Sequence, residues 1–243
     1  MSRVFALGLD GVGPDVWTRL RERDWLPTLG PLFGCVGPLR STVPPLTAPA
    51  WTSIATGLNP GRHGVLDFWT RPRPGRPRAL IGNSAARTVW EIASAQGFGV
   101  GVFNYPLSYP PRPVNGFWVS GMNTPRGVTD FATPASLAAR LADFSPDIAA
   151  DIVSKRDLRH RPDDRVALLR DLITLQANHL ETGLIALRES DPHALQLFVF
   201  ALTTTDRFLH FFWDCVAPSA SSSDGSQPSE LMDLARRFWT DLD

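Results

Sequence analysis

Short apolar runs of strand length alternate with helix-patterned segments along this chain, and that alternation confines it to an α/β sheet. Residues 4–9 (VFALGL), 100–103 (VGVF) and 195–202 (LQLFVFAL) read as strands. Residues 88–96 carry a helical pattern closed by Gly97 and followed at once by the strand at 100–103, which is an α/β crossover. Further helices are expected at 15–23, 26–33, 47–56 and 133–144, with a strand near 35–39. The long amphipathic segment 163–189 places Val166, Leu169, Leu172, Ile173, Leu180, Leu184 and Leu187 at helical spacing. The expected fold is a mainly parallel sheet flanked by helices, with any site at the carboxyl ends of the strands. A chain of 243 residues with 43% hydrophobic content can form one sizeable core, and one domain spanning 1–243 is expected.

The densest chemical signal lies in residues 41–64, STVPPLTAPAWTSIATGLNPGRHG. Pro44 and Pro45 hold the chain extended up to Leu46, whereas Pro49 fits only the first turn of a helix, where its missing N–H costs nothing. Thr47 therefore stands at the N-cap or beside it. A helix start carries amide donors and a partial positive charge, so it suits a phosphate and lowers the cost of an alkoxide. Thr47 is the candidate nucleophile, and the simpler alternative is a capping hydroxyl.

Two further places could collect a cation. The strand at 4–9 ends in Asp10, followed by Gly11 and Gly13, and reads as a strand-terminal carboxylate or a turn residue. The strand at 195–202 runs into Thr203, Thr204, Thr205 and Asp206, with His210 four residues on. On a helix starting at Thr205, Asp206 and His210 share one face and can converge on one ion. The alternative makes Asp206 a first-turn charge favoured by the helix dipole, with His210 merely packed.

In this order, a strand-end Asp, a Thr at a helix start and a later Asp-x-x-x-His, the chain resembles the alkaline phosphatase superfamily. It is most similar to the type I phosphodiesterase/nucleotide pyrophosphatase branch and the related phosphohydrolase/phosphomutase group. TAPAWTSIATGLNPGRHG (47–64) is similar to that family's nucleophile segment, and TTTDRFLHFFW (203–213) to its metal segment. NYPLSYPPRPVNGFWVSGMNTP (104–125) resembles the phosphohydrolase/phosphomutase group. The resemblance implies an alkaline phosphatase-like core and two divalent cations, zinc or else manganese. Asp10 and Thr47 would belong to one cation, Asp206 and His210 to the other. It further implies a metal-dependent phosphohydrolase that cleaves a phosphate mono- or diester through a phospho-threonine, with phosphomutase or phosphotransferase chemistry as an alternative.

The sequence also departs from the family. The later Ser-Asp-His-Gly segment and further His that complete the family's metal sites are not found, and Ala50 stands where nucleotide pyrophosphatases carry a phosphate-holding Asn. The helical periodicity of residues 229–243 runs to the last residue, so the sequence is expected to be an N-terminal portion, incomplete at its C-terminus. A non-catalytic remnant is the competing expectation.

Composition narrows the partners. Formal net charge is zero, so no basic field points to nucleic acid, and a phosphate-ester small molecule is the expected partner. The apolar stretch at 195–216 carries Asp206, Arg207 and His210, which argues against membrane insertion. Without a leader-like opening, a cytoplasmic location is the expectation. Cys35 and Cys215 are too few for a disulfide framework and are expected as buried thiols. Lys155 is the only lysine among 24 basic residues, a bias of genomic composition. Residues 104–130 are expected as a cap-like excursion, 71–78 as a solvated basic loop and 218–228 as a flexible loop. The resemblance implies that His63 shapes the loop behind the nucleophile helix, and His179 is expected to lie on the surface or in packing. Trp51, Trp90, Trp118 and Trp213 are expected to be core or site-lining aromatics.

Overall fold

The stretch Gly99–Tyr105 is buried at every position, which requires a covered face on each side of the sheet it belongs to. The structure is a computed structural model and describes residues 2–32, 37–70, 78–79, 85–141, 143–144, 162–191, 193–217 and 229–243. Its elements are β1 (Val4–Leu9), α1 (Pro14–Glu22), α2 (Leu29–Leu32), α3 (Thr47–Thr56), α4 (Pro60–His63), β2 (Trp69–Thr70), β3 (Arg78–Ala79), α5 (Val89–Ala95), β4 (Gly99–Tyr105), β5 (Gly116–Ser120), β6 (Ala132–Thr133), α6 (Ala135–Arg140), α7 (Pro162–Glu189), β7 (Leu195–Leu202), α8 (Thr204–Val216) and α9 (Ser229–Thr240). Cys35, Lys155, His160, the loop at 218–228 and nearly all of the run at 71–78 lie outside the described residues.

The chain divides into two compact units. The first, Met1–Gly8, Arg40–Asp147 and Glu181–Leu202, contains a five-stranded sheet of order β1-β7-β4-β5-β6. Strand β4 pairs in parallel with both β5 and β7, and the two-residue β6 pairs antiparallel with β5. The mainly parallel α/β expectation is thus met. One face of the sheet gathers Val100, Val102, Trp118, Val199 and Ala201 with Trp51 and Ala55 of α3 and Trp90 of α5. On the other face Phe103 meets Phe200 at 5.2 Å and Phe144 at 5.1 Å between ring centroids. Gly183 of α7 lies against those rings, since a Cβ there would stand 3.3 Å from Phe200 and 3.4 Å from Phe103.

Asn104 breaks the period of β4. Its φ of 56° falls in the left-handed region that Asn tolerates, and the register shifts between Phe103 and Tyr105. Tyr105 thereby joins the cluster of Val100 and Val102 instead of facing the way Phe103 does. Asn104 Nδ2 donates to the Ala201 carbonyl at 2.9 Å, which ties this irregularity to β7.

Several expectations need correction. Residues 104–130, expected as a cap-like excursion, carry β5 inside the main sheet, where Phe117, Trp118 and Val119 are buried. The proline-rich stretch before β5 hides a strand whose apolar residues fill both faces. No strand forms at 37–39. Trp213 is 42% exposed and Leu184 50% exposed, so neither joins the core. His179 is fully buried, which selects packing over surface for that residue.

The second unit, Leu9–Leu39, Ile148–Leu180 and Thr203–Asp243, carries α1, α2, α8 and α9 and the first part of α7. Phe208 of α8 stacks on Phe238 of α9 at 4.7 Å and meets the edge of Trp239 at 5.3 Å. Gln176 of α7 donates to the Phe238 carbonyl at 2.7 Å and accepts from the Thr204 hydroxyl at 3.2 Å. The Asp243 carboxylate accepts from the amides of Thr28 and Leu29, both at 2.7 Å. Among the described residues, no helix is long and apolar enough to cross a membrane.

Candidate active site

Helix α3 begins where its prolines require. Leu46 is the N-cap in extended conformation, φ −117° and ψ 154°, and Thr47 is the first helical residue. The ladder opens with Ala50 N–H to the Leu46 carbonyl at 3.0 Å, so the first amide donors lie ahead of it. Gly57 closes the helix at φ 69°, its N–H donating to the Ser53 carbonyl at 2.8 Å. Thr47 is half-buried and stands one position inside the cap, so a simple N-cap role is not its place.

Three contacts fix this helix within the sheet unit. The Trp51 ring lies over Gly8 of β1, so closely that a Cβ on residue 8 would come within 2.2 Å of Cη2. The Tyr105 hydroxyl donates to the Trp51 carbonyl at 2.6 Å, and the two rings meet edge to face at 5.2 Å. On the α4 side, Ser53 Oγ is 2.9 Å from His63 Nε2, while Val65 N–H donates to His63 Nδ1 at 3.1 Å. His63 is buried, and burial lowers its imidazole pKa against an opposing contribution from a hydrogen bond to the Pro49 carbonyl.

The other three candidates belong to the helical unit. Asp10 follows β1, and its carbonyl accepts the Thr205 hydroxyl at 2.7 Å, which fastens it to the first turn of α8. Gly11 has φ 76° and packs on Asp206, where a Cβ would lie 3.2 Å from both Cα and Oδ1. The structure thus fastens the Asp10 backbone beside the start of α8, where Asp206 stands. One turn on, His210 Nε2 is 3.4 Å from Asp206 Oδ2. The His210 side chain is 66% exposed, so it is not merely packed. Thr47 belongs to the sheet unit.

The donor set suits a divalent cation in kind, carboxylate oxygen with imidazole nitrogen. It falls short in number. Among the described residues, no group of three His, Cys, Asp or Glu side chains is arranged to hold a metal. Asp206 and His210 fit as a two-ligand start, and the expected zinc or manganese pair finds no closed site in these residues. Ala50, which the resemblance sets where nucleotide pyrophosphatases would carry a phosphate-holding Asn, is half-buried on α3 and brings no polar group. Cys215 is buried, and burial pushes its thiol up to about 11, which makes it a packing residue.

Sequence reasoning missed the supports of these candidates: Gly8, Tyr105, Asn104 and Thr205. Only Thr205 carried a local signal, as a hydroxyl beside Asp206. The others act through contacts between segments far apart in the chain.

A family model described as type I phosphodiesterase / nucleotide pyrophosphatase matches residues 4–226. No curated protein matches the sequence. Among solved structures, phosphonoacetate hydrolase from Sinorhizobium meliloti 1021, in complex with phosphonoacetate, is similar with a TM-score of 0.52 and 18% identity. That likeness covers 100% of this chain and 53% of the hydrolase, so the chain spans about half the length of its structural relative. At this identity the likeness establishes the shared fold, an alkaline phosphatase-like α/β core.

Proposed function

Because the chain belongs to the type I phosphodiesterase/nucleotide pyrophosphatase family, we propose that it is a phosphohydrolase whose Thr47 attacks a small phosphate mono- or diester. The observation that carries this reading is Thr47 at the first helical position of α3, beside amide donors ahead of the ladder. The positive end of the helix favours both an anionic phosphoryl group and an alkoxide on Thr47. In the first step Thr47 Oγ gives its proton to solvent and forms a bond to phosphorus, while the bond to the leaving oxygen breaks and that oxygen departs as the alcohol or phenolate. In the second, water attacks phosphorus, the bond from phosphorus to Thr47 Oγ breaks and Thr47 Oγ takes back a proton, so that a monoester yields inorganic phosphate and a diester yields a phosphate monoester. A divalent cation, when bound, supplies charge that offsets the phosphoryl oxygens in the transition state. Asp206 and His210 are the residues proposed to hold it, with Asp10 at the same helix start.

The neighbour's complex with phosphonoacetate supports a small phosphorus-bearing substrate for this chain as well. A second reading, a chain that keeps the fold without turnover, is favoured by the two-ligand start of the cation site. Hydrolysis of an aryl phosphodiester with zinc or manganese decides between them. Thr47→Ala is expected to lower turnover by about 10⁴-fold or more, with Thr47→Ser retaining part of it and trapping phosphate on acid quench. Undiminished turnover in Thr47→Ala overturns the nucleophile, and an inactive parent chain favours the second reading.

A further inference from the structure

The turn after α3 is built around a histidine whose two ring nitrogens have different duties. His63 Nδ1 accepts from the Val65 N–H at 3.1 Å. A neutral imidazole nitrogen that accepts carries no proton, so the ring hydrogen of His63 sits on Nε2. Nε2 is 2.9 Å from Ser53 Oγ, and the Pro49 carbonyl also takes a hydrogen bond from the ring. Both partners lie on α3, and Pro49 belongs to its first turn. Beside them, the Val65 side chain packs with Ala48, the residue next to Thr47. The His63–Val65 turn therefore grips the start of α3 twice, by polar contact at Pro49 and Ser53 and by apolar contact at Ala48.

That grip answers a weakness in the helix itself. The N-cap is Leu46, which offers no side-chain acceptor to the first-turn amides. A helix start without a cap frays. The same tautomer removes a rival reading, because an Nε2 that donates is no base for the Ser53 hydroxyl, so Ser53 and His63 form no nucleophile–base dyad.

We propose that His63 is a positioning residue for Thr47, its Nε2–H holding the first turn of α3 through the Pro49 carbonyl and the Ser53 hydroxyl. The proposal rests on the reading of Thr47 as nucleophile, and it concerns where the hydroxyl is held, with no proton passing through His63.

The test uses the whole chain. Ring ¹⁵N shifts of the unsubstituted protein are expected to report a protonated Nε2 and a bare Nδ1, and the opposite tautomer overturns the proposal without requiring any variant to fold. His63→Asn keeps an acceptor for Val65 but is too short to reach α3. Hydrogen exchange at the Ala50 and Trp51 amides is expected to speed up about tenfold in it, the size of one hydrogen bond. Turnover of the aryl phosphodiester is expected to fall in kcat with KM little changed. His63→Gln, long enough to place an amide N–H near the Nε2 position, is expected to recover most of both. Unchanged exchange in His63→Asn overturns the proposal. If Thr47→Ala leaves turnover intact, the nucleophile reading fails by itself, and the exchange data still decide whether His63 holds the helix start.

Discussion

The first turn of α3 and the Asp206–His210 pair both stand at helix starts, yet they are held in different ways. Around Thr47 the support comes from other elements of the sheet unit: β1 through Gly8, β4 through Tyr105, and the α4 turn through His63. Around Asp206 the near supports are Gly11 and Thr205, and His210 projects largely into solvent. A covalent nucleophile must be placed before its substrate arrives, because misplacement by about 1 Å can cost about a hundredfold in rate. A cation ligand is ordered by the cation it binds, so it can be left half-wet. The contrast matches the division of labour proposed for the two places.

The largest effect that could break this contrast is at Trp51. It fills the space between α3, β1 and Tyr105 and is almost fully buried. Trp51→Ala is expected to cost about 3–5 kcal/mol in urea unfolding, the range for a buried aromatic truncated in a packed core. A loss below about 1 kcal/mol would mean that α3 is not held by the sheet.

How much of this was legible in the sequence differs between the two places for a physical reason. Strands β1, β4 and β7 were readable because buried strands are apolar runs, and α3 because proline restricts its own first turn. Strand β5 was not, since GFWVS follows a proline-rich stretch that masks its start. Tyr105 was placed by the break in period at Asn104, which a two-residue alternation cannot anticipate. The Asp206–His210 proximity was readable because it lies within one helix turn. Gly8 under Trp51 was not, because nothing local to either residue announces the other.

A medium effect sharpens the contrast from the other side. Gly11 and Gly57 both have positive φ, 76° and 69°, so alanine at either costs backbone energy of about 1 kcal/mol. Around Gly57 an added Cβ meets nothing within 4 Å, whereas at Gly11 it presses on Asp206 Cα and Oδ1. Gly11→Ala is therefore expected to cost about 1–3 kcal/mol and to exceed Gly57→Ala, the excess measuring how tightly Asp206 is packed. Equal losses in urea melts would show that Asp206 yields freely to the added methyl.

The smallest effect is expected at His210, and its smallness is what the contrast requires. The pair spans 3.4 Å between side chains that are 66% and 26% exposed, so solvent screens whatever attraction it has. Without added cation, His210→Ala is expected to change unfolding stability by less than about 0.5 kcal/mol, as surface substitutions do. With zinc or manganese present the parent chain should gain stability by mass action and the variant should gain less, since it has lost half of the two-ligand start. A cation-free loss above about 1.5 kcal/mol would place His210 in the packing of the helical unit instead, and the two helix starts would then be held alike. Equal gains in both chains would leave Asp206 and His210 without a cation to hold, removing the reason for the exposed position of His210.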